Sequence, residues 1–398
     1  MKTALWLYLF LFIAFFDLHA QYPILTPFAL SIGAAPSFIG LMMGLYSLTH
    51  LPGNLIAGFS VDRYGSRLFI VFSLLLAGII LLLQSRVTDP WQLLVLRSIS
   101  GFVLAFLSPA CMAMLARIAR NQLEQGKLMA GNGLVHTFAS ILSPAAGAVL
   151  VAQIGFTKSF LVLGWVLIAT ATCALFFIKE KKFAVEPSGG NATAASDNLK
   201  ADGSGSPKQP MDDSGQPAPI PWLVYGIPVA MSCAQGILSF ELPLMNITRN
   251  AIMTTGLLFS VISVGGLVTL SMLFLNRYSP YLRTLWGGLF LACTYFAIAA
   301  QAPLPLTALL LLLGMAKGII FPALSSLLIE LSGGVRYGRT FSFLSIALSI
   351  GSFMGPMLAG QLRDYVSPYF IAFIGLMLAV SILPFHLGRT PTIRTNYS

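Results

Sequence analysis

Four ionisable side chains stand inside or at the edge of long apolar stretches: Asp17, Arg97, Glu241 and Lys317. A charge at the centre of a bilayer costs about 2.5 to 3.5 kcal/mol on insertion scales, so such residues persist where they pair, carry a proton or face a watery path. Polar side chains recur on helical faces around them. Tyr46, His50 and Asn54 follow at i, i+4 and i+8, Asn132, His136, Ser140 and Ser143 form a second stripe, and Ser232, Gln235, Ser239 and Asn246 a third. Gln21, His50, Asn54, His136 and Gln235 are therefore candidates for lining a substrate path, although such stripes also join helices by hydrogen bonds.

Other chemistries lack their residues. The chain has no H-E-x-x-H, no nucleophile elbow and no G-x-x-x-x-G-K-[ST] phosphate loop, so neither a membrane enzyme nor an ATP-driven pump is expected. Cys111, Cys173, Cys233 and Cys293 all fall in apolar runs, with no C-x-x-C pair and no histidine at metal-ligand spacing. No catalytic residue, metal or other cofactor is expected.

The elements that must position these groups follow from composition. Apolar residues make up 57% of the 398 and charged ones 9%, with a mean hydropathy of +0.83, against about 45 to 50% and about 25% in soluble domains. Lipid is the matching solvent, and in lipid an apolar run satisfies its own backbone as a helix. The chain is thus an all-α polytopic membrane protein. Runs long enough to cross a bilayer occupy residues 5–28, 38–61, 68–86, 90–116, 128–153 and 157–178, then 221–247, 252–275, 282–301, 303–331, 338–363 and 368–386. Residues 179–220, rich in Gly, Ser and Pro, read as a flexible linker between an N-terminal six-helix bundle, 1–178, and a C-terminal one, 221–398.

The excess of positive charge, +10 overall, is scattered through the loops rather than gathered in a stripe, so it encodes topology and not nucleic-acid binding. With both termini in the cytoplasm, 17 Lys and Arg residues lie inside, against Arg86, Lys158, Arg249 and Arg363 outside. That asymmetry requires an even number of spans, which argues against removal of the first one as a signal peptide.

The chain also matches itself at an offset near 213 residues. Asp62-Arg63-Tyr64 lies over Asn276-Arg277-Tyr278, Gly101 and Pro109-Ala110 over Gly314 and Pro322-Ala323, and Ser140 and Pro144 over Ser352 and Pro356. With two or three more residues of shift, Trp6 and Pro27 meet Trp222 and Pro243. The sequence is a duplicated six-helix unit, its halves related by a pseudo-two-fold axis along the membrane normal. Parallel repeats of this kind are the architecture in which one half rocks against the other around a central site.

Between the second and third spans stands Gly58-Phe59-Ser60-Val61-Asp62-Arg63-Tyr64-Gly65-Ser66-Arg67, which resembles the loop signature of the major facilitator superfamily. Arg97-Ser98-Ile99-Ser100-Gly101-Phe102-Val103-Leu104-Ala105 is similar to the R-x-x-x-G-x-x-x-A segment of proton-coupled members. Ser143-Pro144-Ala145-Ala146-Gly147 departs from the exporter signature, while Gly351-Ser352-Phe353-Met354-Gly355-Pro356 carries a fuller version in the eleventh span. The resemblance is closest to the drug:proton antiporter branch. It implies a cytoplasmic latch at Gly58, Asp62, Arg63, Gly65 and Arg67, and helix packing or hinging at Gly101, Pro144, Gly351, Gly355 and Pro356. It also implies a cavity lined by helices 1, 4, 7 and 10, which carry Asp17, Arg97, Glu241 and Lys317.

At a rise of 1.5 Å per residue, Asp17 lies about 18 Å from the inner end of its span and Lys317 about 17 to 21 Å from the outer end of its own. Arg97 lies about 10 Å below the outer surface and Glu241 close to it. These heights predict the pairs Asp17–Lys317 and Glu241–Arg97, each joining the two halves. Prolines 23, 27, 109, 144, 243, 322 and 356 are expected to interrupt helices. The function expected is proton-coupled export of a small organic molecule by alternating access, from a monomer in a bacterial inner or plasma membrane. Solute:proton import is the alternative, and a non-transporting sensor a more distant one.

Overall fold

The computed structural model describes residues 2–119, 122–178, 222–245, 249–331 and 337–383, so the expected linker lies outside the described residues. The described chain is helical, in the order α1 (Lys2–Ala20), α2 (Tyr22–Ser31), α3 (Pro36–Tyr64), α4 (Ser66–Gln84), α5 (Pro90–Leu104), α6 (Leu107–Ile118) and α7 (Gln122–Phe177). The second set comprises a 3-10 turn over Trp222–Tyr225, α8 (Gly226–Glu241), α9 (Arg249–Ser271), α10 (Pro280–Ala299), α11 (Leu306–Leu331), α12 (Tyr337–Leu362) and α13 (Pro368–Ser381). Nine helices among the described residues are long and apolar enough to cross a bilayer. Two spans are joined within α7 at Gly155, whose φ of +80° makes a corner that a side chain would resist. With α3, diluted by Thr49, His50 and Asn54, and the shorter α13, the spans number twelve.

Large apolar side chains face outward along these helices, among them Leu68, Leu83, Phe176, Leu257 and Trp286, all more than half or half exposed. In water that surface would drive aggregation; in a bilayer it is the contact with acyl chains. Nothing apolar is gained by bringing such helices together in lipid, so close van der Waals packing at small residues has to hold them. The repeat is visible in this packing. A Cβ on Gly101 of α5 would overlap the Tyr46 carbonyl of α3, and a Cβ on Gly314 of α11 would overlap the Ile262 carbonyl of α9. Each half thus uses the same glycine to seat its fourth span on its second.

Most of the prolines do not break their helices. Pro27, Pro144, Pro322 and Pro356 lie inside continuous α2, α7, α11 and α12, because a bundle lets neighbouring groups compensate for one missing donor. The first span is divided at Gln21, two residues before Pro23, and the fourth at Ala105-Phe106, before Pro109; Pro243 ends α8 in a 3-10 turn.

The close approaches between halves gather at the end of the bundle remote from the linker. Gly40 of α3 sits against Pro356 and Gly360 of α12, Gly44 against Phe353, and Gly256 of α9 against Pro144 and Ala148 of α7. This far end is closed by backbone-to-backbone contact.

Gly314→Val is expected to weaken the C-terminal half, because the branched side chain meets backbone that cannot yield. Overpacking of this kind costs on the order of 1–3 kcal/mol. Gly375, which has open space around its Cβ position, is the control. Thermal unfolding of purified protein should show a lowered midpoint for Gly314→Val and an unchanged one for Gly375→Val.

Candidate functional site

The break in the first span places three buried polar residues in line. Gln21 is the single turn residue between α1 and α2, and its backbone amide still reaches the Asp17 carbonyl at 3.3 Å. One turn apart on a helix, the two side chains face the same way. Gln21 Nε2 donates to both carboxylate oxygens of Asp17, each at 2.9 Å, and Arg97 Nη1 of α5 donates to Gln21 Oε1 at 2.5 Å. All three are at least 94% buried, and the guanidinium stacks over the Tyr46 ring at 4.5 Å. An acid and a base are thus linked through one amide, which donates to the acid and accepts from the base.

The second half repeats this arrangement without its acid. Lys317 of α11 donates from Nζ to Gln235 Oε1 of α8, and Gln235 lies about 214 residues after Gln21. Each half therefore caps the basic residue of its fourth span with a glutamine from its first. Among the described residues, Lys317 has no carboxylate partner.

These pairs replace those expected from heights alone. Asp17 does not meet Lys317; it reaches Arg97 through Gln21, inside its own half. Glu241 does not meet Arg97; it lies 3.7 Å from Arg363, at the far end of α12. The rise per residue gives depth along a helix and says nothing of rotation about its axis, which decides the partner.

Between the halves lies a cavity of about 100 Å³, bounded by Gln21, Tyr22, Tyr46 and Arg97 on one side and Gln235, Ser239, Ser352 and Pro356 on the other. Leu18, Leu25 and Met43 add apolar surface. Both glutamines and Arg97 therefore reach it. His50 and Asn54 bond each other at 2.9 Å on α3 and are not among its lining. His136 of α7 meets Phe15 edge-on, with centroids 4.7 Å apart, and His19 at 5.2 Å. The polar stripe on α8 divides: Ser232 bonds Ser352 and the Leu348 carbonyl of α12 and so joins helices, whereas Gln235 and Ser239 border the cavity; Asn246 lies outside the described residues.

Sequence reasoning missed Tyr46 as the partner of Arg97, His19 as that of His136, and Arg363 as that of Glu241. Tyr46 and His136 were legible only as members of stripes. The equivalence of Gln21 and Gln235, by contrast, follows the same offset as the other repeat marks and was available.

At the linker end, Gly65 turns the chain between α3 and α4 with φ +92°. Arg67 Nη2 donates to the Leu175 carbonyl at 2.5 Å, and the exposed Arg63 guanidinium lies 5.4 Å from the Tyr64 ring centre. The side chains of Gly58 and Asp62 lie outside the described residues. In α12, Cβ atoms on Gly351 and Gly355 would overlap the Val229 and Cys233 carbonyls of α8, so these glycines seat the eleventh span on the seventh.

A family model described as Major Facilitator Superfamily matches residues 7–305. Among curated proteins, the chain is 25% identical over 334 residues to the multidrug resistance protein MdtG of Escherichia coli (strain 55989 / EAEC), with 80% of this chain and 76% of that protein covered. Among solved structures, it is similar to a bacterial homolog to the human lysosomal transporter Spinster. In its inward-facing and occupied conformation the TM-score is 0.72 at 14% identity, covering 97% of this chain and 96% of the other. In its inward-facing and unoccupied conformation the TM-score is 0.69, also at 14% identity.

Proposed function

The chain belongs to the Major Facilitator Superfamily, and from that premise we propose that it exports a small organic molecule in exchange for protons by alternating access. Its place is then a bacterial inner or plasma membrane, with both termini and the 179–220 linker in the cytoplasm and the two bundles, 1–178 and 221–398, as the rocking bodies. In that orientation the closed far end faces outward.

The observation that carries the reading is the buried chain Asp17–Gln21–Arg97 beside the cavity between halves. A transporter needs a group whose protonation alters a contact, and this chain supplies one. Gln21 Nε2 donates to both oxygens of the Asp17 carboxylate. Protonation turns one carboxylate oxygen into a donor and removes the charge, so the contact from Gln21 Nε2 narrows to the remaining acceptor and weakens, and the link to Arg97 weakens with it. One proton thereby loosens the tie between the first and fourth spans. The latch around Asp62, Arg63 and Arg67 would engage in the opposite, outward-facing state, while Lys317–Gln235 and Glu241–Arg363 hold the second half. The similarity to a multidrug resistance protein supports an amphipathic organic substrate and outward direction.

The test is transport by purified protein in liposomes of defined orientation. Substrate should move out of the cytoplasmic side when the outside is acidic, with proton entry matching substrate exit. Substrate movement in the same direction as the protons would establish import instead, and movement indifferent to the pH gradient would remove the coupling.

A further inference from the structure

Counting charges at the middle of the bundle separates the two halves. In the first, Arg97 is balanced by Asp17 through Gln21. At the far end, Glu241 is balanced by Arg363. In the second half, Lys317 is held by the neutral oxygen of Gln235, with no carboxylate beside it among the described residues. It is partly exposed and lies one hydrogen bond from a group that borders the cavity. An uncompensated charge in low dielectric is costly. No acidic residue is among those lining the cavity to relieve it.

We infer that the cavity takes organic anions, compounds with a carboxylate, phosphate or phosphonate group on an apolar body, and that the anionic group sits at Lys317 and Gln235. The Gln235 amide hydrogens, at the cavity wall, are donors suited to an oxyanion. The apolar body lies against Leu18, Leu25, Met43 and the Tyr22 ring. With the anion in place, every charge at this depth has an opposite partner while the far end is closed, the state in which an exporter loads. This specificity rests on the transporter reading above, but it is measured without transport.

The probes are three compounds with one body and three head groups: 1-naphthylacetate, 1-naphthylacetamide and 1-naphthylethylammonium. Their binding to purified full-length protein is followed by calorimetry and by the shift in unfolding temperature, which grows with the logarithm of ligand concentration over Kd. The anion should bind at least about tenfold tighter than the amide, and the cation weakest, since a tenfold ratio needs only 1.4 kcal/mol. Lys317→Gln should erase the preference for anion over amide, and Lys317→Arg, which keeps the charge, should retain it. Equal or tighter binding of the cation by wild-type protein, no binding of the anion, or an anion preference that survives in Lys317→Gln would each overturn the inference. Should Lys317→Gln fail to fold, the wild-type head-group order decides alone. Anion binding without gradient-driven flux would sink the export reading and leave this one standing; proton-coupled flux of a cation with no anion binding would do the reverse.

Discussion

Asp17→Asn is expected to reduce substrate accumulation to the level set by the substrate's own gradient. A pH difference of one unit is worth about 1.4 kcal/mol per proton, enough to sustain about a tenfold substrate ratio across the membrane for each proton exchanged. Asparagine cannot carry the proton, so in liposomes held at that gradient the steady ratio should fall from about ten to about one. Its shape is nearly that of the carboxylate, and its amide can still bond Gln21, so the fold and downhill exchange should persist. Counterflow of labelled substrate, which needs rocking but no proton, is the control. A variant that still concentrates substrate under a pH gradient would place the coupling group elsewhere. Loss of counterflow together with accumulation would instead mark Asp17 as a structural support. The buried position of Asp17, 3% exposed with both oxygens occupied, makes these two outcomes separable. A merely structural acid would be replaced by asparagine at the cost of one rearranged hydrogen bond, whereas a proton carrier loses its chemistry altogether.

The second large effect is on the closure of the far end. A Cβ at Gly40 would overlap the Pro356 carbonyl and press on Gly360, and this contact joins the two halves, unlike Gly314 against Ile262, which lies within one. Gly40→Val therefore acts on the balance between states more than on the fold of either bundle. If the clash costs on the order of 1–3 kcal/mol, the closed far end loses population by about 5- to 150-fold relative to the open one. Transport turnover should fall accordingly, because each cycle must pass through the closed state. The distinguishing measurement is reaction of a cysteine placed at Ser47, on the cavity wall, in a background lacking Cys111, Cys173, Cys233 and Cys293. An impermeant thiol reagent added from the far side should react faster in Gly40→Val than in the parent. Unchanged labelling with lost transport would mean that Gly40 supports the fold and not the closure.

Both predictions draw on features that the sequence revealed unequally. Twelve spans, the duplicated unit and its offset were legible, because a bilayer dictates span length and polarity so strongly that few alternatives remain. The family signature at residues 58–67 was legible for a similar reason: its glycines and charges are local and lie at fixed spacing. Of the polar groups singled out in apolar runs, Gln21, Arg97 and Gln235 border the cavity, while His50 and Asn54 bond each other away from it. The partners of the charged groups were not legible. Asp17 was expected to meet Lys317 and is joined instead to Arg97 by Gln21, and Glu241 turned to Arg363.

The physical reason lies in what each level of description contains. Composition and periodicity fix which segments enter lipid and roughly how deep each residue sits. They do not fix the rotation of a helix or which neighbour it faces, and those are decided by where backbones can approach. Gly101 against Tyr46, Gly314 against Ile262, and Gly351 and Gly355 against α8 set those rotations. Only then do the two glutamines arrive beside the two cations. By itself the sequence determined a duplicated membrane bundle with four costly charges and a few polar candidates; the tertiary packing alone decided that one cation is neutralised within its own half and that the other is held by a neutral glutamine at the cavity wall.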